Sequence, residues 1–163
     1  MVRVLKAPAP LLLDGRTPSV FVAGSIEMGQ AEDWQVRLER ALAGHDVILL
    51  NPRRDDWDAS WKQSIDNAQF REQVEWELEG LERASLVAMY FAPATKAPVT
   101  LLEFGLSARS GKLLVCCPEG YWRRGNIEVV CARYGIPLLP SLEMLVTEIR
   151  NRITDSSDAT GRS

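Results

Sequence analysis

Histidine is nearly missing from this chain: His45 is the only one in 163 residues. It lies in Ala43-Gly44-His45-Asp46, a turn that leads into an apolar strand and so sits at the amino end of that strand. A single histidine so placed nearly excludes a Ser-His-Asp or Cys-His nucleophilic system and a histidine-ligated metal site. Cysteine is scarce too, and Cys116, Cys117 and Cys131 form no C-x-x-C pair. The first two close the buried-strand pattern Leu113-Leu114-Val115-Cys116-Cys117, so all three are read as small core hydrophobes. Runs of positive charge are absent, since Lys and Arg never exceed a pair. With a net charge of -3 and a pI of about 5.3, nothing pulls the chain toward nucleic acid or an anionic membrane. No apolar run approaches a membrane span, and Arg3, Lys6 and Asp14 occupy the place of a signal-peptide core, so a cytoplasmic protein without a membrane partner is expected. If the chain is an enzyme, carboxylates must do the proton and nucleophile work.

What is present is a strict alternation of short apolar runs with helical stretches. Strands are expected at residues 19–23, 46–50, 86–91, 113–117 and 136–139. Helices are expected at about 31–43, 66–83, around Glu103, 126–134 and 141–153. Continuous apolar strands joined by helical crossovers predict an α/β fold, a doubly wound parallel five-stranded sheet with helices on both faces. Residues 1–153 make one domain of ordinary size, and the small polar residues 154–163 read as a disordered tail.

In open sheets of this kind ligands bind beyond the carboxyl ends of the strands. Glu103 falls there, as the only charge between Lys96 and Arg109, inside the apolar stretch 97–108. An unpartnered buried carboxylate costs several kcal/mol or more, on the order expected for any desolvated ion, so its presence points to chemistry or to a neutralising partner. Along the middle helix Phe70, Val74, Leu78 and Leu81 form an apolar stripe, and Glu77 lies on it. Glu77 is therefore a second inward acid, with an end-of-stripe salt bridge as the structural alternative. The loop Gly24-Ser25-Ile26-Glu27-Met28-Gly29 offers backbone donors before a helix but matches neither a Walker loop nor a dinucleotide fingerprint. The loop after the second strand carries Arg53, Arg54, Asp56, Trp57, Asp58 and Trp61. Aromatic faces there suit planar rings and carboxylates suit ring edges, while packing onto the domain is at least as good a reading of Trp61.

Five segments in order, Ala23-Gly24-Ser25-Ile26, Asn51-Pro52-Arg53-Arg54, Gln73-Val74-Glu75-Trp76-Glu77, Leu101-Leu102-Glu103-Phe104-Gly105-Leu106 and Trp122-Arg123-Arg124-Gly125-Asn126, make the chain resemble the nucleoside 2-deoxyribosyltransferase family over about residues 19–144. The resemblance implies a flavodoxin-like domain that exchanges nucleobases on 2′-deoxyribose, in a homo-oligomer whose active sites are shared between subunits. It implies Glu103 as catalytic nucleophile, Glu77 as the acid that contacts the base, and Asn126 as a residue supplied in trans to the sugar 5′-hydroxyl. It also places Gly24, Ser25 and Ile26 in the pocket. Family members often carry an Asp shortly before the nucleophile, which Thr95-Lys96-Ala97-Pro98 lacks.

The residue chemistry agrees with that transfer. Cleavage of an N-glycosidic bond passes through an oxocarbenium-like state, which one carboxylate stabilises and captures as an ester while another acid protonates the leaving base. Asp56, Trp57 and Asp58 join the substrate-binding set, the partners are a nucleoside and a nucleobase, and no metal or organic cofactor is needed. Two rivals stand beside this reading. One is a hydrolase of nucleoside 5′-monophosphates using the same Glu103 with water, for which Arg53 and Arg54 offer phosphate ligands and Glu27 an objection. The other is a catalytically silent nucleoside- or nucleotide-binding domain.

Overall fold

A computed structural model of the chain describes residues 1–25 and 33–160. Ile26 to Glu32, and with them the Ile26 and Glu27 of the first loop, lie outside the described residues. The elements are β1 (Arg3–Lys6), β2 (Ser19–Gly24), α1 (Trp34–Ala41), β3 (Ile48–Asn51), α2 (Ala68–Arg83), β4 (Leu86–Tyr90), α3 (Pro98–Ser107), β5 (Leu113–Cys116), α4 (Arg124–Tyr134), β6 (Leu138–Leu139) and α5 (Leu142–Thr160). The six strands form one sheet in the order β1-β3-β2-β4-β5-β6, parallel throughout.

The sheet is apolar because it is covered twice. Trp76 of α2, Phe104 of α3 and Ile127 of α4 pack with Phe21, Met89 and Val115 on one face. Trp34 and Leu38 of α1 and Leu145 and Ile149 of α5 pack with Val20, Val22 and Leu114 on the other. Strands buried on both sides leave no room for polar alternation, which is why β2 to β5 read as unbroken apolar runs. The three cysteines are buried in this core, and desolvation pushes the thiols up, Cys116 to about 12 and Cys117 and Cys131 to about 11. They are inert packing groups in these surroundings.

Three expectations need correction. The sheet has six strands, because Arg3–Lys6 pairs in parallel with β3 at the edge. That strand is four residues long with a cation at each end, the pattern of a protected edge, and gives no apolar run to read. Helix α5 continues to Thr160, past Ile153. Along it the Thr154 and Ser156 hydroxyls donate to the carbonyls of Arg150 and Arg152, four residues back, so these polar side chains are accommodated on the helix surface. The inward side of α2 is also rotated from the expected stripe: Gln73, Trp76, Gly80 and Leu81 are buried, whereas Leu78 is exposed. Gly80 explains the rotation. A Cβ there would stand 2.6 Å from the Phe21 ring, so the helix approaches the sheet on its glycine side.

No helix among the described residues is long and apolar enough to cross a membrane.

Candidate active site

The carboxyl ends of β2 and β4 lie side by side, with Gly24 paired to Tyr90. A Cβ on Gly24 would meet the Trp34 ring and the Tyr90 carbonyl oxygen, each at 2.6 Å, so this strand end has room only for glycine. The loops that leave it are stitched together by Ser25. Its hydroxyl lies 2.7 Å from Thr95 Oγ1, the Thr95 hydroxyl donates to the Ala92 carbonyl at 2.9 Å, and the Ala92 amide donates back to Ser25 Oγ at 3.1 Å. The Ser25 hydroxyl also lies 3.5 Å from the Tyr90 carbonyl oxygen, so each polar group of the ring has a partner.

Above this ring opens a cavity of about 620 Å³, a size suited to a small organic ligand. Its walls come from the β2 and β3 ends, the loop from Pro52 to Gln63, one side of α2 and the start of α3. Phe70, Val74, Pro98 and Val99 supply apolar surface. Trp57 and Trp61 stand edge to face with ring centroids 5.1 Å apart, and the Arg54 guanidinium lies 5.0 Å over Trp61.

Two acids enter the cavity from different helices. Glu103, one turn after Thr100 on α3, is only 8% exposed, and no donor among the described residues reaches its carboxylate. Pro98 starts that helix in the first-turn position proline favours, and Ala97 before it takes a left-handed φ of 46°. The carbonyl of Lys96, one residue earlier, accepts from Tyr121 Oη at 2.6 Å and Trp122 Nε1 at 3.0 Å. The backbone entering α3 is thus anchored while the acid it presents is not. Burial, then repulsion by Glu77, pushes the Glu103 carboxyl up to about 8. Glu77 of α2 is also raised, chiefly by burial, with the Gln73 hydrogen bond opposing the shift.

Of the residues singled out by sequence, Gly24, Ser25, Trp57, Glu77 and Glu103 share this cavity. Ser25 reaches it with its hydroxyl already committed to the ring. Asp56 and Asp58 are not on the wall: Asp56 pairs with Arg54 at 2.7 Å, and Asp58 Oδ1 accepts from the Ser60 amide at 2.8 Å. Arg54 holds the Asp56 carboxyl, and the Ser60 hydroxyl and then its amide hold that of Asp58, below the ordinary range. Asn126 is exposed on α4, away from the wall of its own chain. Trp61 both packs and lines the cavity. Gln73 was not singled out, although its position four residues before Glu77 puts the two on one helical face. Among the described residues no group of three or more His, Cys, Asp or Glu is gathered to hold a metal ion.

A family model described as nucleoside 2-deoxyribosyltransferase like matches residues 17–121, well over half of the chain. The match includes Gly24, Trp57, Glu77 and Glu103 and ends before Asn126. Among solved structures the chain is similar to one titled as a conserved protein from Enterococcus faecalis V583, with a TM-score of 0.61 at 14% identity. The alignment covers 83% of this chain and 99% of that one, a likeness of fold. No curated protein matches the chain.

Proposed function

The chain belongs to the nucleoside 2-deoxyribosyltransferase-like family, and from that premise we propose that it exchanges nucleobases on 2′-deoxyribose through a glycosyl ester of Glu103. The observation that carries this reading is the convergence of Glu103 and Glu77, from two helices, on one apolar-walled cavity, with Glu103 buried and unpartnered. A structural carboxylate would have acquired a donor in such surroundings.

Burial raises both acids and their mutual repulsion disfavours ionising the two together, so the pair favours holding a proton between them. Cationic character developing at the anomeric carbon favours the ionised form of Glu103 and so moves that proton to Glu77. In the first half-reaction the C1′–N bond breaks, the C1′–O bond to Glu103 forms, and the Glu77 proton passes to the leaving nitrogen. In the second, an incoming base attacks C1′ on the face the first one left, its proton passes to Glu77, and the ester bond breaks. Two displacements give net retention. Trp57 and Trp61 offer ring faces for the base, and Phe70, Val74 and Val99 limit water. The scheme needs no metal or organic cofactor and suits a cytoplasmic salvage enzyme.

Charge favours a free nucleoside over its 5′-monophosphate. The cations on the wall are committed, Arg53 to Asp33 at 2.8 Å and Arg54 to Asp56 and Glu72. The strand order β3-β2-β4-β5-β6 follows the 2-1-3-4-5 pattern and supports a flavodoxin-like assignment with β1 added at the edge. Val99, Leu102 and Leu106 stand exposed in a row on α3, and this apolar stripe supports a homo-oligomer in which a neighbour brings Asn126 to the site.

The test is incubation with a deoxynucleoside, with and without a second free base, followed by chromatography. Base exchange that depends on the second base is the expected result; release of base by hydrolysis alone, or activity only on a monophosphate, contradicts it. For the shared site, inactive Glu103→Ala and Asn126→Ala proteins are mixed under conditions that allow subunit exchange. Activity should return, and its absence after demonstrated exchange removes Asn126 from a neighbour's site.

A further inference from the structure

Gln73 of α2 is 5% exposed and reaches the cavity wall beside Glu77. Its Nε2 donates to the Pro52 carbonyl at 2.7 Å and to Glu77 Oε1 at 2.8 Å. A proline carbonyl only accepts, so the amide must turn its nitrogen, not its oxygen, toward Pro52 and Glu77. Both hydrogens of the NH2 group are thereby used. Its oxygen, by contrast, is buried without a partner. An orphaned buried acceptor is unfavourable, and the side chain tolerates it in order to keep both donor contacts.

Resting on the reaction proposed above, we infer that Gln73 is a positioning residue: tied to the Pro52 carbonyl, it occupies Glu77 Oε1 and leaves Oε2 as the oxygen that exchanges the proton with the base. The contact works in both protonation states of Glu77. In the acid, Oε1 is the carbonyl oxygen and the proton sits on Oε2; in the carboxylate, the amide stabilises the charge left behind. It also couples the loop after β3 to α2, so the wall carrying Trp57 and the acid stay in register.

The other charged groups on this wall are Arg53 and Arg54 from the loop after β3 and Glu103 from α3. The arginines keep their own carboxylate partners, Asp33, Asp56 and Glu72. Glu103 opposes ionisation of Glu77, and Gln73 favours it.

Gln73→Met, of similar length and without the donor, removes the contact; Gln73→Asn keeps an amide too short to span both acceptors and serves if the Met protein does not fold. The carboxyl of Glu77 is followed by ¹³C NMR in protein labelled at glutamate, with Glu77→Gln supplying the assignment. The expected result is a rise in Glu77 proton affinity of about tenfold, as for loss of one charge-assisted hydrogen bond. Turnover should fall with little change in the nucleoside KM, the upper limb of the pH profile should move, and the loss should be greatest for bases that leave poorly unprotonated. In a Glu77→Gln background Gln73→Met should cause no further loss. An unmoved titration, or the same fractional loss in both backgrounds, would overturn the assignment. A shifted titration in a protein whose wild type exchanges no bases would instead overturn the proposed reaction and leave the hold of Gln73 on Glu77 standing.

Discussion

Two buried polar groupings sit at the carboxyl end of the same sheet, and they are built on opposite terms. Around Ser25, Thr95 and Ala92 every donor has an acceptor and the ring closes on itself. At Glu103 and Glu77 two acids face one cavity, one with no hydrogen bond and the other with a single amide. A closed network contributes stability and holds the loops still, whereas desolvated acids oppose folding and keep their bonding capacity for something else. The contrast separates scaffold from chemistry without reference to any substrate. It also explains why Ser25, though on the wall, is better suited to shaping the pocket than to binding with its hydroxyl.

The comparison breaks most readily at Glu103. Glu103→Gln should lower turnover by roughly 10³-fold or more, the scale of losing a covalent nucleophile, while leaving the fold intact by circular dichroism. A variant with near wild-type turnover would place Glu103 with the scaffold. Next comes Glu77→Gln, expected to slow cleavage by about 10²- to 10⁴-fold for bases that leave poorly unprotonated. Equal loss for all bases in steady-state kinetics would make Glu77 structural.

Stability distinguishes the two groupings in the opposite sense. Ser25→Ala opens the ring and strands the Ala92 amide, so urea titration should show a loss of about 1–3 kcal/mol. Turnover per folded molecule should change far less than in either acid variant. Glu103 behaves in reverse, because its folded carboxyl is raised from the usual 4.5 to about 8. Between those values the folded state holds a proton that the unfolded state has released. Its contribution is therefore full below 4.5 and is lost as the pH rises toward 8, by at most about 1.4 kcal/mol per pH unit. Denaturant midpoints of Glu103→Gln should be flatter than wild type across that window; parallel curves would mean that Glu103 is not desolvated as described.

The sequence made the four inner strands and the position of Glu103 plain for one reason. Doubly covered strands are apolar except at their ends, where Ser19 and Asn51 are buried, and a lone charge in an apolar stretch stands out against that background. Edge strand β1 gave no such contrast, with Arg3 and Lys6 at its ends. The face of α2 was misjudged because burial there follows Gly80, whose close approach to Phe21 no hydrophobicity pattern reports. In the charged loop after β3, composition could not show that Arg54 would draw Asp56 off the wall and that Asp58 would turn to the Ser60 amide. Gln73 was illegible because an amide four residues from an acid is commonplace; its orientation acquires meaning only beside the Pro52 carbonyl.

The central claim is that the unpartnered carboxylate becomes covalently bound to sugar. Peptide mass spectrometry after rapid acid quench of the protein with a deoxynucleoside and no acceptor base tests it most directly. The account predicts a mass increase of one deoxyribosyl group on the peptide containing Glu103, absent from Glu103→Gln and discharged when a free base is added before the quench. Base exchange proceeding with no adduct on that peptide, or with the adduct on another residue, would contradict it.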